Sequence, residues 1–287
     1  MLFNKPVADI IRQRKSIRTY IDTPIEAEKQ EALKNFLSAN TTGPFGTKSR
    51  FTFLTATDQD KEALKGLITY GMIKNPSAFI IGVVENAPHH LEDFGYLMEK
   101  NILMATGLGL GTCWLGGTFN SSGFSRKIAR QDNEIIPAVA SVGYAVPRLS
   151  PIDSLIRISA GADKRKAWSA LFFQGDKPLS TLEAGGYAPP LEMIRLAPSA
   201  SNFQPWRIIK AANVDTYHFY MKRTLAVKQI MTVKSDLQIV DIGIAMCHFG
   251  LTAEENGLKG VWQITDPHFK GIADKLTYIT TWVGNGQ

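Results

Sequence analysis

The chain has little cysteine and no long apolar segment. Its 287 residues include two cysteines, Cys113 and Cys247, which lie in apolar stretches without metal-ligand spacing. This excludes a disulfide scaffold, argues against a metal site and favours a reducing compartment. No apolar run approaches about 18 residues, and residues 1–15 lack the hydrophobic core of a signal peptide. We therefore expect no membrane span and predict a cytoplasmic protein.

Charge of one sign is not concentrated either. Lysine and arginine exceed aspartate and glutamate, 32 against 26, and the formal net charge is +6. Nucleic-acid-binding proteins gather such residues on one face among aromatics. Here they are spread out, apart from two basic groups, Arg12–Arg18 and Lys164–Lys166. We expect no nucleic-acid partner, whereas a pocket for one phosphorylated small molecule would need only two or three of these residues.

Helical and strand patterns alternate along the chain. In the first half, spacing predicts helices over 2–13, 25–38, 58–70, 93–108 and 125–131, and strands over 51–57, 77–84, 112–115 and 136–144. Thr23 and Pro24 are typical of an N-cap and a first helical residue. The helix at 93–108 is apolar around most of its circumference, which predicts a central position in an α+β core. A connector follows at 145–160, and the pattern then restarts.

The restart is an internal repeat. Asp93-Phe-Gly95-Tyr-Leu-Met98 aligns with Asp241-Ile-Gly243-Ile-Ala-Met246, 148 residues later. A repeat of about 140 residues is too long for a solenoid unit. We predict two tandem α/β copies, residues 1–150 and 151–287, packed around a pseudo-twofold axis as a fused dimer would be. Two unrelated α+β domains of similar composition are the alternative.

The first candidate site is the basic turn Arg14-Lys-Ser-Ile-Arg18. Alternate residues of an extended turn point to one side, so Arg14, Ser16 and Arg18 are able to converge on one anion. Arginine supplies forked donors that suit phosphate, and serine adds a neutral hydroxyl donor. The alternative is a solvated turn, since basic turns are common on protein surfaces.

The second candidate is the polar loop Leu196–Arg207. Pro198 and Pro205 fix φ and stiffen it. Its serine, asparagine and glutamine side chains supply donors and acceptors, as a planar heterocycle with amide and imide edges requires. The alternative, a helix end whose side chains bond their own backbone, would explain Ser199 or Asn202 but not the whole cluster.

The third candidate is the glycine-rich stretch Gly107–Gly117. Its glycines follow a predicted helix and precede a strand, whereas the dinucleotide-binding fingerprint follows a strand and opens a helix. We expect these glycines to end the buried helix and to let backbone approach a flat ligand. For Cys113, a packing role is favoured over thiol chemistry.

Together the three segments resemble the FMN-dependent nitroreductase family. Arg14–Arg18 resembles its phosphate-binding motif, Ala197–Trp206 its flavin-contacting loop and Gly109–Gly116 its helix-to-strand turn. The resemblance implies a nitroreductase-like α+β fold, bound FMN, NAD(P)H as electron donor, a nitroaromatic or quinone acceptor and no indispensable acid–base side chain. The cofactor-binding residues that it implies are Arg14, Lys15, Ser16, Arg18, Cys113, Trp114, Leu115, Gly116, Arg148, Pro198, Ser199, Ala200, Asn202 and Gln204.

The resemblance is to the fused, single-chain type, in which the flavin lies between two family domains. The first copy has Thr42–Gly46 where the polar loop would be, and the second has Arg165-Lys-Ala-Trp-Ser169 aligned with Arg14–Arg18. One complete site therefore remains, which predicts one FMN per chain and a monomer. A flavin- or ligand-binding protein without turnover is the alternative, and we place the acceptor pocket near residues 70–75 or 222–235.

Overall fold

The first half of the chain builds an antiparallel sheet with helices packed on it. A computed structural model describes residues 3–55, 73–116, 128–147, 161, 163–224 and 235–285. The helices of this half are α1 (Val7–Gln13), α2 (Ala27–Ala39) and α3 (His90–Gly107). The strands are β1 (Ser49–Thr55), β2 (Ala78–Glu85), β3 (Gly111–Leu115), β4 (Glu134–Ile135) and β5 (Val139–Gly143). The sheet order is β1-β2-β5-β3, and β4 also pairs with β2.

The second half repeats this plan. Its helices are α4 (Thr181–Ala184), α5 (Ala188–Leu196) and α6 (Leu237–Glu255). Its strands are β6 (Phe172–Gln174), β7 (Lys177–Pro178), β8 (Trp206–Lys210), β9 (Thr216–Met221), β10 (Gly260–Gln263) and β11 (Thr277–Gly284). The order is β10-β11-β9-β8-β6-β7. The run β8-β9-β11-β10 thus matches β1-β2-β5-β3, and the α+β fold with two tandem copies is confirmed.

One hydrophobic core is shared by both halves. Its largest cluster of buried side chains includes Phe94 and Met98 from α3 together with Trp206 and Phe249 from the second half. Most residues of α3 and α6 are buried, so both helices lie at the centre, as an apolar circumference predicts. Burial of both helices in one cluster ties the two halves into one folded unit.

The central helices touch at a pair of aligned glycines. A Cβ on Gly95 would lie 2.3 Å from the Val240 carbonyl oxygen, and one on Gly243 would lie 2.1 Å from the Glu92 carbonyl oxygen. The contacts are reciprocal, because Glu92 and Val240 precede their respective glycines by the same number of residues. Reciprocal contacts are typical of a twofold interface, so α3 and α6 cross on a local pseudo-twofold axis.

Two aligned aspartates anchor equivalent loops. Asp93 accepts the Phe45 N–H at 2.9 Å and the Thr47 N–H at 2.8 Å, and Asp241 accepts the Ala200 N–H at 2.9 Å. Each carboxyl group therefore holds the loop that enters the first long strand of its own half. The first-half loop and the polar loop occupy corresponding positions, as the alignment predicts.

Helix α2 begins later than predicted. It starts at Ala27 after Glu26, whose side chain makes no capping bond, so the predicted Thr23 cap is wrong. The Thr23 carbonyl oxygen accepts the Ser77 hydroxyl at 2.9 Å, and Ile25 is buried in the core. These contacts hold the chain extended before the helix can start.

Part of the predicted pattern lies outside the described residues. This applies to the helix at 58–70 and to residues 125–127 of the helix at 125–131. Residues 128–131 form a turn and irregular backbone, so this part of the predicted helix is wrong. The predicted strands are found with ends shifted by up to three residues. Within the described ranges, none of the helices combines the length and the apolarity that a bilayer crossing needs.

Candidate cofactor site

The basic turn lies against β3, the strand within the glycine-rich stretch. Ser16 forms a parallel bridge with Thr112 of β3, and the Ile17 N–H donates to the Thr112 carbonyl oxygen at 2.8 Å. Gly111 permits this approach, since a Cβ there would lie 2.9 Å from the Ile17 side chain. Two of the three predicted segments are therefore neighbours.

Arg14 is the buried member of the basic turn. It ends α1, where its N–H bonds the Ile10 carbonyl oxygen at 2.9 Å, and it is 8% exposed. Its Nε lies 3.7 Å from Oε1 of Glu99 and has no hydrogen-bond partner among the described residues. A buried donor without a partner is costly, so this nitrogen marks a place where a bound oxygen atom would be stabilising.

Arg14 faces a cavity of about 220 Å³. The lining residues are Ile11, Arg12, Arg14, Lys15 and Ser16 from the first half, and Asp163, Arg165 and Leu196 from beyond the connector. Four cationic side chains against one carboxylate favour an anion. The volume is below the roughly 300–1,000 Å³ of pockets that enclose drug-sized ligands. The cavity therefore suits a small anion of about the size of a phosphate group rather than a whole cofactor.

The alignment of Arg165–Ser169 with the basic turn is wrong. Ser16 of the basic turn lies beside β3, whereas Trp168–Ala170 lead into β6, which pairs in parallel with β8. Strand β8 is the counterpart of β1 and not of β3, so the two segments occupy different places in their halves. A match of two basic residues could not reveal this, because strand pairing is a long-range property.

Arg165 instead lines the same cavity as Arg14. Its Nη2 donates to the carbonyl oxygen of Leu196 at 3.2 Å, directly before the polar loop. The sequence indicates this shared position only through charge, because Arg12–Arg18 and Lys164–Lys166 are the two basic groups of the chain. The fold brings both groups to one cavity.

Residues 113–116 lie between the basic turn and α6. The Trp114 indole N–H donates to Oε2 of Glu99 at 2.7 Å. A Cβ on Gly116 would lie 2.7 Å from the Leu237 side chain at the start of α6. Leu115 is buried in a smaller cluster of the first half. The end of the glycine-rich stretch thus reaches the second half at the same end of α6 that anchors the polar loop.

Arg18 stands apart from the cavity and close to Cys113. It is not among the residues that line the cavity, and its charge acts on the Cys113 thiol and the Tyr20 hydroxyl. Burial raises the pKa of Cys113, while Arg18 and Arg14 oppose that rise. A buried, protonated thiol supports a packing role. Of the three side chains expected to converge, Arg14 and Ser16 share the cavity.

The polar loop is held in an unusual conformation by its own side chains. Pro198 leads out of α5, and Ser199 Oγ accepts the Gln204 N–H at 2.9 Å. Ser201, Asn202 and Gln204 have φ values of 49°, 56° and 48°, in the left-handed region that is uncommon outside glycine. Such strain clusters at functional sites, where the surrounding structure maintains it.

Asn202 and Gln204 bind the chain that enters from the connector. Asn202 Nδ2 donates to the Lys164 carbonyl oxygen at 3.0 Å, and Gln204 Oε1 accepts the Lys166 N–H at 2.8 Å. These bonds fix the backbone on either side of Arg165 and so help to aim it. The amides have a structural role that their motif does not reveal, and their contact with a ligand ring stays a prediction.

Some predicted positions lie outside the described residues. Arg148 is one of them, as are most of the residues in the two regions considered for the acceptor pocket. Lys15 is exposed at the cavity edge.

Comparison with known proteins decides the family. A family model described as "Putative TM nitroreductase" matches residues 6–253. The chain belongs to this nitroreductase family. It is also similar in structure to a "putative nitroreductase" from Thermotoga maritima, with 18% identity and a TM-score of 0.59. That likeness covers 98% of this chain and 95% of the other.

Other nitroreductases are similar over about half of the chain. An FMN-dependent nitroreductase from Clostridium difficile is 20% identical over 49% of this chain and 88% of its own, with a TM-score of 0.41. A nitroreductase family protein from Clostridium novyi is 20% identical over 50% of this chain and 87% of its own, with a TM-score of 0.41. No curated protein sequence matches significantly. Membership of the nitroreductase family makes this chain an oxidoreductase.

Proposed function

We propose that this nitroreductase-family chain is an FMN-dependent oxidoreductase that takes electrons from NAD(P)H and passes them to a nitroaromatic, a quinone or a similar acceptor. One observation carries the proposal: the two basic groups meet at one cavity, which Arg14, Ser16, Arg165 and Leu196 help to line. The resemblance of the three segments to flavin-binding motifs supports the choice of FMN.

The residues of the cavity fit a phosphate group. Arg14 presents a buried nitrogen without a hydrogen bond, Arg165 also lines the cavity, and Ser16 adds a hydroxyl. Bonds between guanidinium and phosphate are charge-assisted and commonly bidentate, so two arginines would hold the group and fix its orientation. Lys15 adds positive potential at the edge.

The protein's own part in the reaction is to bind and orient. When bound, FMN supplies the hydride chemistry. Gly116 contacts Leu237 and Ala200 bonds Asp241, so the glycine-rich turn and the polar loop both lie at the first turns of α6. We propose that the flavin ring lies between these two backbone segments. No step requires a proton from a side chain, and no residue is assigned a catalytic role.

We propose one FMN per chain, because each half supplies a different part of the site. The first half has Thr42–Gly46 in place of the polar loop. Within the described residues, no segment bridges β10 as Ser16 bridges β3. Loss of two charge-assisted or hydroxyl bonds costs about 2–5 kcal/mol, enough to empty a micromolar site. Flavin released by denaturation should equal the protein in molar amount, and a ratio near two would overturn the proposal.

Two measurements test the function. The purified protein, reconstituted with FMN and freed of excess, should show the two-band visible spectrum of bound oxidised flavin, and its absence would reject flavin binding. The loaded protein should then oxidise NADH or NADPH anaerobically when nitrofurazone or menadione is supplied. Bound FMN with neither donor oxidised would refute the oxidoreductase proposal for these acceptors.

A flavin-binding protein without turnover is the second candidate. It is favoured by the bonds from Asn202 and Gln204 to the backbone at Lys164 and Lys166, which occupy the amides of the polar loop. A retained flavin spectrum without anaerobic reduction by either nicotinamide would support this candidate.

We further propose that the chain works in the cytoplasm as a monomer. Cys113 and Cys247 are free thiols, which suits a reducing compartment. The contact between α3 and α6 already supplies within one chain the kind of interface that a dimer forms between two. Light scattering should give the mass of one chain, and twice that mass would refute the monomer.

A further inference from the structure

We propose that His248 is a positioning residue for the anion cradle formed by Arg14, Ser16 and Arg165. It neutralises Glu99 and thereby leaves the charge of Arg14 available to the phosphate. The inference rests on the proposed FMN site. Because Glu99 lies in α3 and His248 in α6, the pair also joins the two halves.

His248 and Glu99 form a hydrogen-bonded pair with no exposure to solvent. His248 Nε2 lies 2.9 Å from Oε1 of Glu99, and both residues are 0% exposed. His248 Nδ1 lies 2.9 Å from the carbonyl oxygen of Met193. The second carboxylate oxygen of Glu99 accepts the Trp114 indole N–H at 2.7 Å.

These contacts fix the charge of the pair. The Met193 carbonyl oxygen is only an acceptor, so Nδ1 of His248 donates to it. The short contact between Nε2 and Oε1 needs a second proton, carried either by the ring or by the carboxyl. In both cases the pair is neutral as a whole. Without that proton, a ring lone pair would face a carboxylate oxygen at 2.9 Å with no solvent between them, which is strongly unfavourable.

The neutral pair explains the state of Arg14. A buried carboxylate without another partner would form a close ion pair with the nearest guanidinium. Oε1 of Glu99 instead bonds His248 at 2.9 Å, while Nε of Arg14 stays 3.7 Å away without a hydrogen bond. The guanidinium of Arg14 therefore faces a pair without net charge, at ion-pair distance but without a hydrogen bond.

The pair occurs on one side of the pseudo-twofold axis. At the repeat offset of the central helices, Glu99 corresponds to Cys247 and His248 to Lys100. The pair is thus asymmetric in the same way as the basic turn. The first half supplies that turn, and the cradle beside the pair needs it.

The test compares FMN with riboflavin, which lacks the phosphate, by fluorescence titration of the flavin-free protein. His248→Gln should weaken FMN binding by about 10- to 50-fold, as expected for one uncompensated charge several ångströms from the phosphate at an effective dielectric constant of about 20. Riboflavin binding should change by less than about threefold on the same reasoning. Glu99→Gln in the same chain removes the carboxylate that His248 neutralises, so the double variant should recover most of the lost FMN affinity.

A structural role would give a different pattern. The double variant would then bind FMN more weakly than His248→Gln, or riboflavin would weaken in parallel, and either result would overturn the inference. His218→Gln is the matched control, since His218 is also buried in the second half and bonds Thr281 Oγ1 at 2.8 Å, away from the cradle. An equal loss of FMN affinity in this control would likewise overturn the inference.

The inference and the proposed function fail in different ways. Wild-type protein that binds no FMN would refute the proposed function. In that case calorimetry measures the affinity of the cradle for inorganic pyrophosphate. Weaker pyrophosphate binding by His248→Gln, with recovery in the double variant, supports the inference. Equal pyrophosphate affinities in all three proteins would overturn it.

Discussion

Gly243→Ala should destabilise the protein although it places a better helix former inside α6. The added Cβ would lie 2.1 Å from the Glu92 carbonyl oxygen and 3.0 Å from the Gly95 Cα atom. Both neighbours are backbone atoms of α3, which cannot rotate away as a side chain can. The two central helices would have to separate, and the core that they share would lose close packing.

The magnitude follows from two opposing effects. Alanine in place of glycine favours an interior helix position by about 1 kcal/mol. Overpacking a dense core costs about 1–3 kcal/mol, and a backbone clash belongs at the upper end of that range. We therefore expect a net loss of about 2 kcal/mol in the free energy of unfolding. For a chain of this size the corresponding fall in Tm is about 4–6 °C.

Gly250→Ala in the same helix is the matched control. Its added Cβ would meet no backbone atom at close range, and its nearest neighbour is the Tyr96 hydroxyl oxygen at 3.3 Å. The free energy of unfolding of this control should either stay unchanged or rise by up to about 1 kcal/mol. Thermal and urea unfolding of both variants check the difference. Equal stability of the two variants would refute the close crossing of α3 and α6 at Gly95 and Gly243.

Three further predictions concern charge. Arg18→Ala tests the phosphate contact that its motif implies, although Arg18 does not line the cavity. Loss of that contact should weaken FMN binding by about tenfold and spare riboflavin, and an unchanged FMN affinity in fluorescence titration would remove Arg18 from the site. Burial raises the pKa of Asp241 well above its usual value, so the native state keeps a proton that the unfolded chain has lost, and stability falls as pH rises above about 4. Asp241→Asn lacks this effect, so its Tm relative to wild type should increase from pH 4 to 8, and a constant difference would contradict the assignment. Burial, together with the charges of Arg207 and Lys222, lowers the pKa of Lys166 to about 8. Its competitive labelling by acetic anhydride should have a midpoint near that pH, and a midpoint near the ordinary lysine value of about 10.4 would be the contrary result.

The repeat is the part of the fold that sequence alone predicts best. Gly95 and Gly243 align because each must let the other helix approach its backbone, and Asp93 and Asp241 align because each accepts backbone N–H groups of its own loop. The glycine contact is reciprocal between the halves, and the aspartate contact is local to each half, so both leave the same residue type in both copies. A repeat of such residues therefore reports a repeat of structure.

Long-range pairing is the part that sequence could not supply. The place of Arg165 depends on the parallel pairing of β6 with β8, for which no short pattern exists. The bond between Glu99 and His248 joins residues 149 positions apart, and neither belongs to a motif. In the sequence, each of the two is a polar residue within an apolar helix. This indicates that each has a buried hydrogen-bond partner but does not identify the partner.

A single chain allows the two sides of the pseudo-twofold axis to differ. In a homodimer, a substitution at the central helix appears on both sides, so a buried pair such as Glu99–His248 would form twice or not at all. In this chain the corresponding positions are Lys100 and Cys247, and they carry different chemistry. The charge balance beside Arg14 can therefore be set for one cradle without placing the same buried carboxylate on the other side of the axis. Fusion of the two copies thus removes the symmetry constraint on the polar groups of the core, and the proposed single FMN per chain is the functional consequence.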